Sequence, residues 1–308
     1  MDERAMSTVT VVVCTGDRRA LFEKCVESLL NQTLARDHYE ILIVGSESSD
    51  DTRLYAEKFS NTDNRVAYLH GKWTTRSEAR NAGLTHTGTR CVAFLGEETI
   101  PDVNWLENLL QPFLSDRKTM IVGGELSPEW GSDRPVWLKD RWLRFYSVCL
   151  NWSAELRLLE QGEWLSYENI CFDTDVLKQL GGFPVRPGCQ NELLVCGEHS
   201  VEAAVKSQGG RIYFEPKAMV HRYIPAEQLT PKWLAKRMFW QGVTDADSAA
   251  EKLRLTGEES NGWMDMRLPV SHWEWASLFN LYPDSKLEKH MENYRGLGYA
   301  IRKSGLLD

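Results

Sequence analysis

The sequence predicts an α/β protein whose central, mostly parallel sheet is flanked by helices. Three observations carry that expectation. Short apolar runs rich in β-branched residues recur at Thr8–Cys14, Tyr39–Val44, Arg65–Leu69 and Cys91–Leu95. Segments with apolar residues at helical spacing lie between them, and that alternation is the pattern of right-handed crossovers onto a parallel sheet. Two carboxylates, Glu97 and Glu98, follow the fourth run directly. Acids at the carboxyl end of a central strand stand where such sheets bind their ligands.

The elements follow in order. Thr8–Cys14 is a continuous β-branched run, read as a buried first strand. Asp17 is placed to cap the next helix, which carries Leu21, Phe22, Cys25, Val26, Leu29 and Leu30 on one face. The second strand, Tyr39–Val44, ends in the polar turn Gly45-Ser-Glu-Ser-Ser-Asp-Asp-Thr52, which leads into a helix through Phe59. Arg65–Leu69 is a third strand, residues 77–84 are helical, and Cys91–Leu95 is the fourth strand. Pro101 ends the acidic turn, and Asp102 is placed to cap a helix bearing Trp105, Leu106, Leu109, Leu110 and Phe113.

Composition bounds the rest. With 308 residues and 42% hydrophobic content, the chain is long enough for one large or two small domains with a sizeable core. No apolar run approaches the ~18 residues of a membrane-spanning helix. The charged start and the seven cysteines, with no metal-type CxxC pair, point to free thiols in a reducing cytoplasm. A net charge of −8 argues against a broad nucleic-acid surface. Ten of the twelve tryptophans lie after residue 129, where their rings can pack a core or stack on sugars.

The order of motifs is more specific than the pattern. TVVVCTGDRR (10–19), EILIVGSESSDDT (40–52), RSEARNAGL (76–84) and CVAFLGEETIPDVNWL (91–106) resemble the first half of family 2 glycosyltransferases, which have the GT-A fold. ENICFDTDVLKQLGGF (168–183) is similar to the segment that shapes the acceptor pocket. CGEHSVEAAVKSQGGRIYFEP (196–216) is similar to the helix bearing the catalytic base and the strand after it. AMVHRYIP (218–225) and the basic aromatic helix TPKWLAKRMFWQG (230–242) complete the resemblance. It implies a GT-A domain over 1–245, with a nucleotide-binding half at about 7–125 and an acceptor half at 126–245. A C-terminal helical extension, 246–308, would follow, its Trp263, Trp273 and Trp275 folding onto the domain or making a homodimer contact.

The resemblance also implies a site. Thr15, Asp17, Gly45, Glu47, Arg76, Arg80 and Glu97 are its expected nucleotide contacts. Glu98 and His221 are expected to hold Mn²⁺ or Mg²⁺, hard cations that take oxygen ligands and few protein ones. Glu198 and His199 are the expected catalytic pair. Three of these positions depart from the family pattern. Gly45 stands where an aspartate usually contacts the base or ribose, Gly96-Glu97-Glu98 replaces an aspartate cluster, and Glu198-His199 replaces a Glu-Asp pair.

Each departure has a physical reading: Gly45 removes a ribose contact outright, though Glu47 could reach around. Glu98 keeps the charge of an aspartate one methylene further out. His199 lies at the start of a helix, whose partial positive charge disfavours imidazolium and favours a neutral ring able to accept a proton. Arg76 and Arg80, one turn apart, share a helix face that could meet a diphosphate. The 230–242 segment lacks the QxxRW motif of processive members. The expected activity is inverting transfer from a nucleotide-diphosphate sugar to an acceptor that the sequence does not specify. A catalytically silent GT-A subunit and a different transfer reaction, such as nucleotidyl transfer, are the alternatives.

Overall fold

The structure is a computed structural model, and it describes residues 8–48, 50–149, 152–160, 163–185, 198–256 and 287–306. The strands are β1 (Val9–Thr15), β2 (Tyr39–Gly45), β3 (Val66–His70), β4 (Cys91–Gly96), β5 (Thr99–Pro101), β6 (Thr119–Trp130), β7 (Arg157–Leu158), β8 (Asn169–Asp173) and β9 (Arg211–Ile224). The helices are α1 (Arg19–Leu30), α2 (Thr52–Thr62), α3 (Arg76–His86), α4 (Trp105–Ser115), α5 (Thr174–Gln179), α6 (Glu198–Ser207), α7 (Pro231–Thr256) and α8 (Leu287–Lys303).

Among the described residues the sheet runs β3-β2-β1-β4-β8-β6-β9-β5, with β7 paired to β9. The first four strands are parallel, as their apolar runs predict. From β8 onward the pairings are antiparallel, so the sheet is mixed. Alternation of side chains across β1 divides the core. Val9, Val11 and Val13 face one apolar layer with Phe22, Val26, Leu29 and Trp105 of α1 and α4. Val12 faces the other, with Leu84 of α3, Phe172 of β8, Phe183 from the turn after α5, and Val201 and Val205 of α6.

Asn169 of β8 stitches the mixed half together. Its Oδ1 accepts from Trp105 Nε1 at 2.8 Å, and its Nδ2 donates to the carbonyls of Glu125 and Ala218. One fully buried amide thus joins α4, β6 and β9, with its polar groups satisfied as burial demands.

Two helix starts differ from the sequence expectation. α1 begins at Arg19 with Arg18 at the cap position, and no side chain caps it locally. Asp50, from the turn after β2, accepts the Arg19 amide instead at 3.0 Å, and Asp17 is exposed beside it. α4 begins at Trp105 after Asn104, and the Asp102 carboxylate bonds His221 rather than the helix amides.

The described residues fall into two compact units. The first is drawn from Met1–Glu129, Ser147–Pro184 and Glu198–Tyr223, the second from Trp130–Tyr146, Val185–Gly197 and Ile224–Asp308. This differs from the boundary expected at 245, because α7 runs through that position as one helix. In the second unit Tyr146 stacks on Trp233 with ring centroids 4.5 Å apart. α8 lies along α7, tied by Arg295–Asp245 at 2.6 Å and Arg302–Asp247 at 2.7 Å. Trp263, Trp273 and Trp275 lie outside the described residues. Among the described residues no helix is long and apolar enough to cross a membrane.

Candidate active site

The site is built at the carboxyl ends of β1 and β4, which pair in register from Val9–Cys91 to Cys14–Gly96. The turn after β1 meets the turn after β4 through Glu97. Glu97 Oε2 accepts from Thr15 Oγ1 at 2.6 Å and from the Gly16 amide at 2.8 Å. Burial pushes the Glu97 carboxyl above its ordinary range, and these two donors pull it back. Glu97 is therefore engaged in holding the first turn, through the same Thr15 that was expected beside it in the nucleotide site.

Glu98, one residue on, is buried and enclosed by positive charge. The short β5–β9 ladder sets Thr99 opposite Arg222. That register brings Arg222 Nη2 to 3.1 Å from Glu98 Oε2, while Arg18 pairs with Oε1. Arg222 Nη1 also lies 3.1 Å from Glu168 Oε2, and Arg76 Nη1 stands 3.5 Å from Glu168 Oε1. Three guanidinium groups and two carboxylates thus alternate at the strand ends. Arg222 is the buried centre, and Arg18 and Arg76 are the more exposed flanks.

Glu168 reaches this cluster by passing close over Gly96. A Cβ at Gly96 would lie 3.2 Å from Glu168 Cγ, so the side chain from the residue before β8 occupies the space beside the end of β4. A carboxylate thereby enters from a neighbouring part of the chain where β4 itself carries none.

The remaining expected residues are placed as follows. His221 points away from Glu98, because successive strand residues face opposite sides. Its Nε2 lies 3.0 Å from Asp102 Oδ1, and both side chains are about two-fifths exposed. Glu98 and His221, the two residues expected to hold a metal, thus have different partners, and Arg222, the neighbour of His221, is the residue that meets Glu98. Arg76 joins the charged cluster, whereas Arg80 is buried. Arg80 Nη2 donates to the Tyr167 carbonyl at 3.3 Å, and its guanidinium lies over the Tyr167 and Phe183 rings. Glu47 pairs with Lys72 at 3.0 Å on the exposed surface. Gly45 is buried at the end of β2, level with Thr15. Glu198 and His199 open α6, but their side chains lie outside the described residues.

Sequence reasoning did not single out Arg18, Glu168 or Arg222. Arg222 sits next to His221 in a motif already noted, and Glu168 heads another. Their importance comes from strand register and from the space over Gly96, which appear only on folding.

Among the described residues no three His, Cys, Asp or Glu side chains gather as a metal site. Glu98 nonetheless offers one hard-oxygen ligand. Arg222, largely buried, occupies Oε2, while Oε1 meets Arg18, whose side chain is 36% exposed. One carboxylate fits a cation that takes its other ligands from phosphates and water.

A parallel half-sheet with acids and arginines at its strand ends, continued by an antiparallel half, is the arrangement of the GT-A fold. The family model for glycosyl transferase family 2 matches residues 10–171, just over half of the chain, and the protein belongs to that family. It is 24% identical over 241 residues to a glucosyl-dolichyl phosphate glucuronosyltransferase of Haloferax volcanii, covering 77% of this chain and 75% of that one. It is also 24% identical over 251 residues to the succinoglycan biosynthesis protein ExoM of Rhizobium meliloti, covering 79% and 76%. Among solved structures it resembles the mannosyltransferase PcManGT of Pyrobaculum calidifontis, in complex with GDP-Man and Mn²⁺. That likeness has a TM-score of 0.64 and 17% identity, and it covers 97% of this chain and 87% of that one.

Proposed function

We propose that the protein moves a sugar from a nucleotide-diphosphate donor to an acceptor hydroxyl with inversion at the anomeric carbon. The observation that carries this reading is the cluster of Arg18, Arg76 and Arg222 around Glu98 and Glu168 at the strand ends. Guanidinium groups of this kind suit the charge that develops on a departing diphosphate, and placed in advance they stabilise it without reorganisation. Arg18 and Arg76 are exposed enough to reach a ligand, and Arg222 holds the two carboxylates apart. Mn²⁺ or Mg²⁺ on Glu98 would add Lewis-acid stabilisation of the leaving group. The GDP-Man and Mn²⁺ in the Pyrobaculum structure agree with such a donor and cation.

In this proposal His199 or Glu198, at the first turn of α6, takes the acceptor proton as the hydroxyl attacks. A neutral imidazole at a helix N-terminus is suited to that task. Glu198 would orient the ring or serve as the base itself.

A silent, donor-binding protein is the second reading, favoured by the two arginines that already neutralise Glu98. The test is a thermal-shift screen of nucleotide sugars with and without Mn²⁺, followed by product analysis for any donor that raises the melting point. Release of a nucleoside diphosphate with sugar transfer or donor hydrolysis is the expected result. Stabilisation without turnover would favour the silent reading, and release of pyrophosphate would indicate nucleotidyl transfer.

A further inference from the structure

Tyr68 stands in β3, opposite Ile43 of β2, and two residues on His70 pairs with Gly45. The Tyr68 side chain runs along the strand ends, and its phenol rests on Gly45. A Cβ at position 45 would lie 2.8 Å from both Cε2 and Oη of the ring. Only glycine leaves the phenol that place, since any side chain at 45 would push it off. The hydroxyl meets His70 Nδ1 at 3.3 Å at the exposed edge, and the two rings are 6.1 Å apart. Burial raises the Tyr68 phenol above its ordinary value, so near neutrality it is uncharged and able both to donate and to accept.

The position of this ring matters. β2 lies on one side of β1 and β4 on the other, with Gly45 level with Thr15 and Gly96 level with Cys14. The chain order reverses at β1, which is where open α/β sheets bind nucleotides at their carboxyl ends. The charged cluster occupies the β4 side. Tyr68 occupies the β2 side, about 10 Å away across two strand spacings. A diphosphate on the arginines would direct its nucleoside toward the ring.

We propose that Tyr68, seated on Gly45, is a specificity-determining residue that contacts the nucleoside of the donor. The inference rests on the nucleotide-sugar reading above and adds which residue meets the base and ribose. The ring offers an aromatic surface on which a base can stack. The hydroxyl offers one hydrogen bond that a carboxylate could not donate.

The experiment is calorimetric titration of the full chain with UDP, GDP and inorganic pyrophosphate. Wild type, Tyr68→Ala, Tyr68→Phe and Gly45→Ala are compared, with thermal melts to confirm folding. For the nucleoside diphosphate that wild type binds best, Tyr68→Ala should weaken affinity by roughly 10-fold or more. Tyr68→Phe should fall between, and Gly45→Ala should act in the same direction with the tyrosine still present. Pyrophosphate affinity should stay within about 2-fold, since the phosphate cluster is untouched. Unchanged nucleotide affinity in folded Tyr68→Ala and Gly45→Ala would overturn the inference alone. Equal loss for nucleotide and pyrophosphate would also overturn it, by showing a general disturbance. If wild type binds pyrophosphate but neither nucleotide, the donor reading itself fails and this inference with it.

Discussion

Arg222 Nη2 lies 3.1 Å from Glu98 Oε2, across a three-residue strand pairing that joins residues 124 positions apart. The same guanidinium holds Glu168, so one buried arginine keeps two buried carboxylates compatible. Removing it leaves them to repel one another in a poorly solvated place. Arg222→Gln should therefore cost about 3–5 kcal/mol of unfolding free energy in urea titration, far more than an exposed pair would. A loss below about 1 kcal/mol would mean that solvent or relaxation compensates the two acids.

In the proposed reaction Glu98 supplies the carboxylate oxygen for a divalent cation. Mn²⁺ should bind wild type weakly alone and better with a nucleoside diphosphate, whose phosphates complete its ligand shell. In Glu98→Ala, nucleotide affinity should become the same in Mn²⁺ and in chelator. Wild-type affinity that is already indifferent to chelator would assign the charge balance to the arginines alone.

His199→Ala should lower kcat about 10²–10⁴-fold, the usual worth of a positioned base. The wild-type rate should rise with pH through an acidic limb, and His199→Asp should keep activity with that limb moved lower, since a carboxylate is stabilised at a helix N-terminus. A dead Glu198→Gln beside a nearly normal His199→Ala would transfer the role to Glu198.

Asp63 reports on acid stability far from the site. Its carboxylate accepts from Arg65 and from the Arg65 amide, which hold it down to about 2. The folded value is below the unfolded one, so the stabilisation is present above about pH 4 and is lost as pH falls toward 2. Asp63→Asn should cost at most about 2 kcal/mol at pH 7 and flatten that part of the acid-unfolding curve. An unchanged curve would show that the pair is matched in the unfolded chain.

The α7–α8 contact depends on close backbone approach. A Cβ on Gly298 would sit 1.9 Å from the Phe239 carbonyl oxygen. Gly298→Ala should destabilise by about 1–3 kcal/mol as the helices are forced apart, measurable as a lowered melting temperature. Indifference to the methyl would place the helices further apart than they stand here.

The strands were legible because their signal is local. Val9, Val11 and Val13 alternate with Val12 across a sheet buried on both faces, and the apolar run reports that directly. Helix faces were legible for the same reason, as Phe22, Cys25, Val26 and Leu29 all turn inward. Caps were less so. Asp17 and Asp102 stand at plausible cap positions, yet an acceptor from Asp50 serves α1, and Asp102 turns to His221. The charged cluster was half legible. Glu98 and Arg76 could be named from motifs, but a strand's facing is set by its ladder, so nothing local says that Arg222 rather than His221 will meet Glu98. Nor does a glycine at 96 announce that Glu168 will fill the room it leaves.

The placement of Glu168 and β8 bears on how this protein can be taken apart. β8 inserts antiparallel beside β4, and the residue before it delivers the carboxylate that lies over Gly96. A fragment ending near residue 125 would keep every parallel strand and still lose Glu168 and Arg222. It would expose β4 as an open edge and leave Glu98 with Arg18 alone. The four parallel strands are thus not a portable module. Joining them to a different antiparallel half requires that the incoming chain bring its own acid and arginine to those two places.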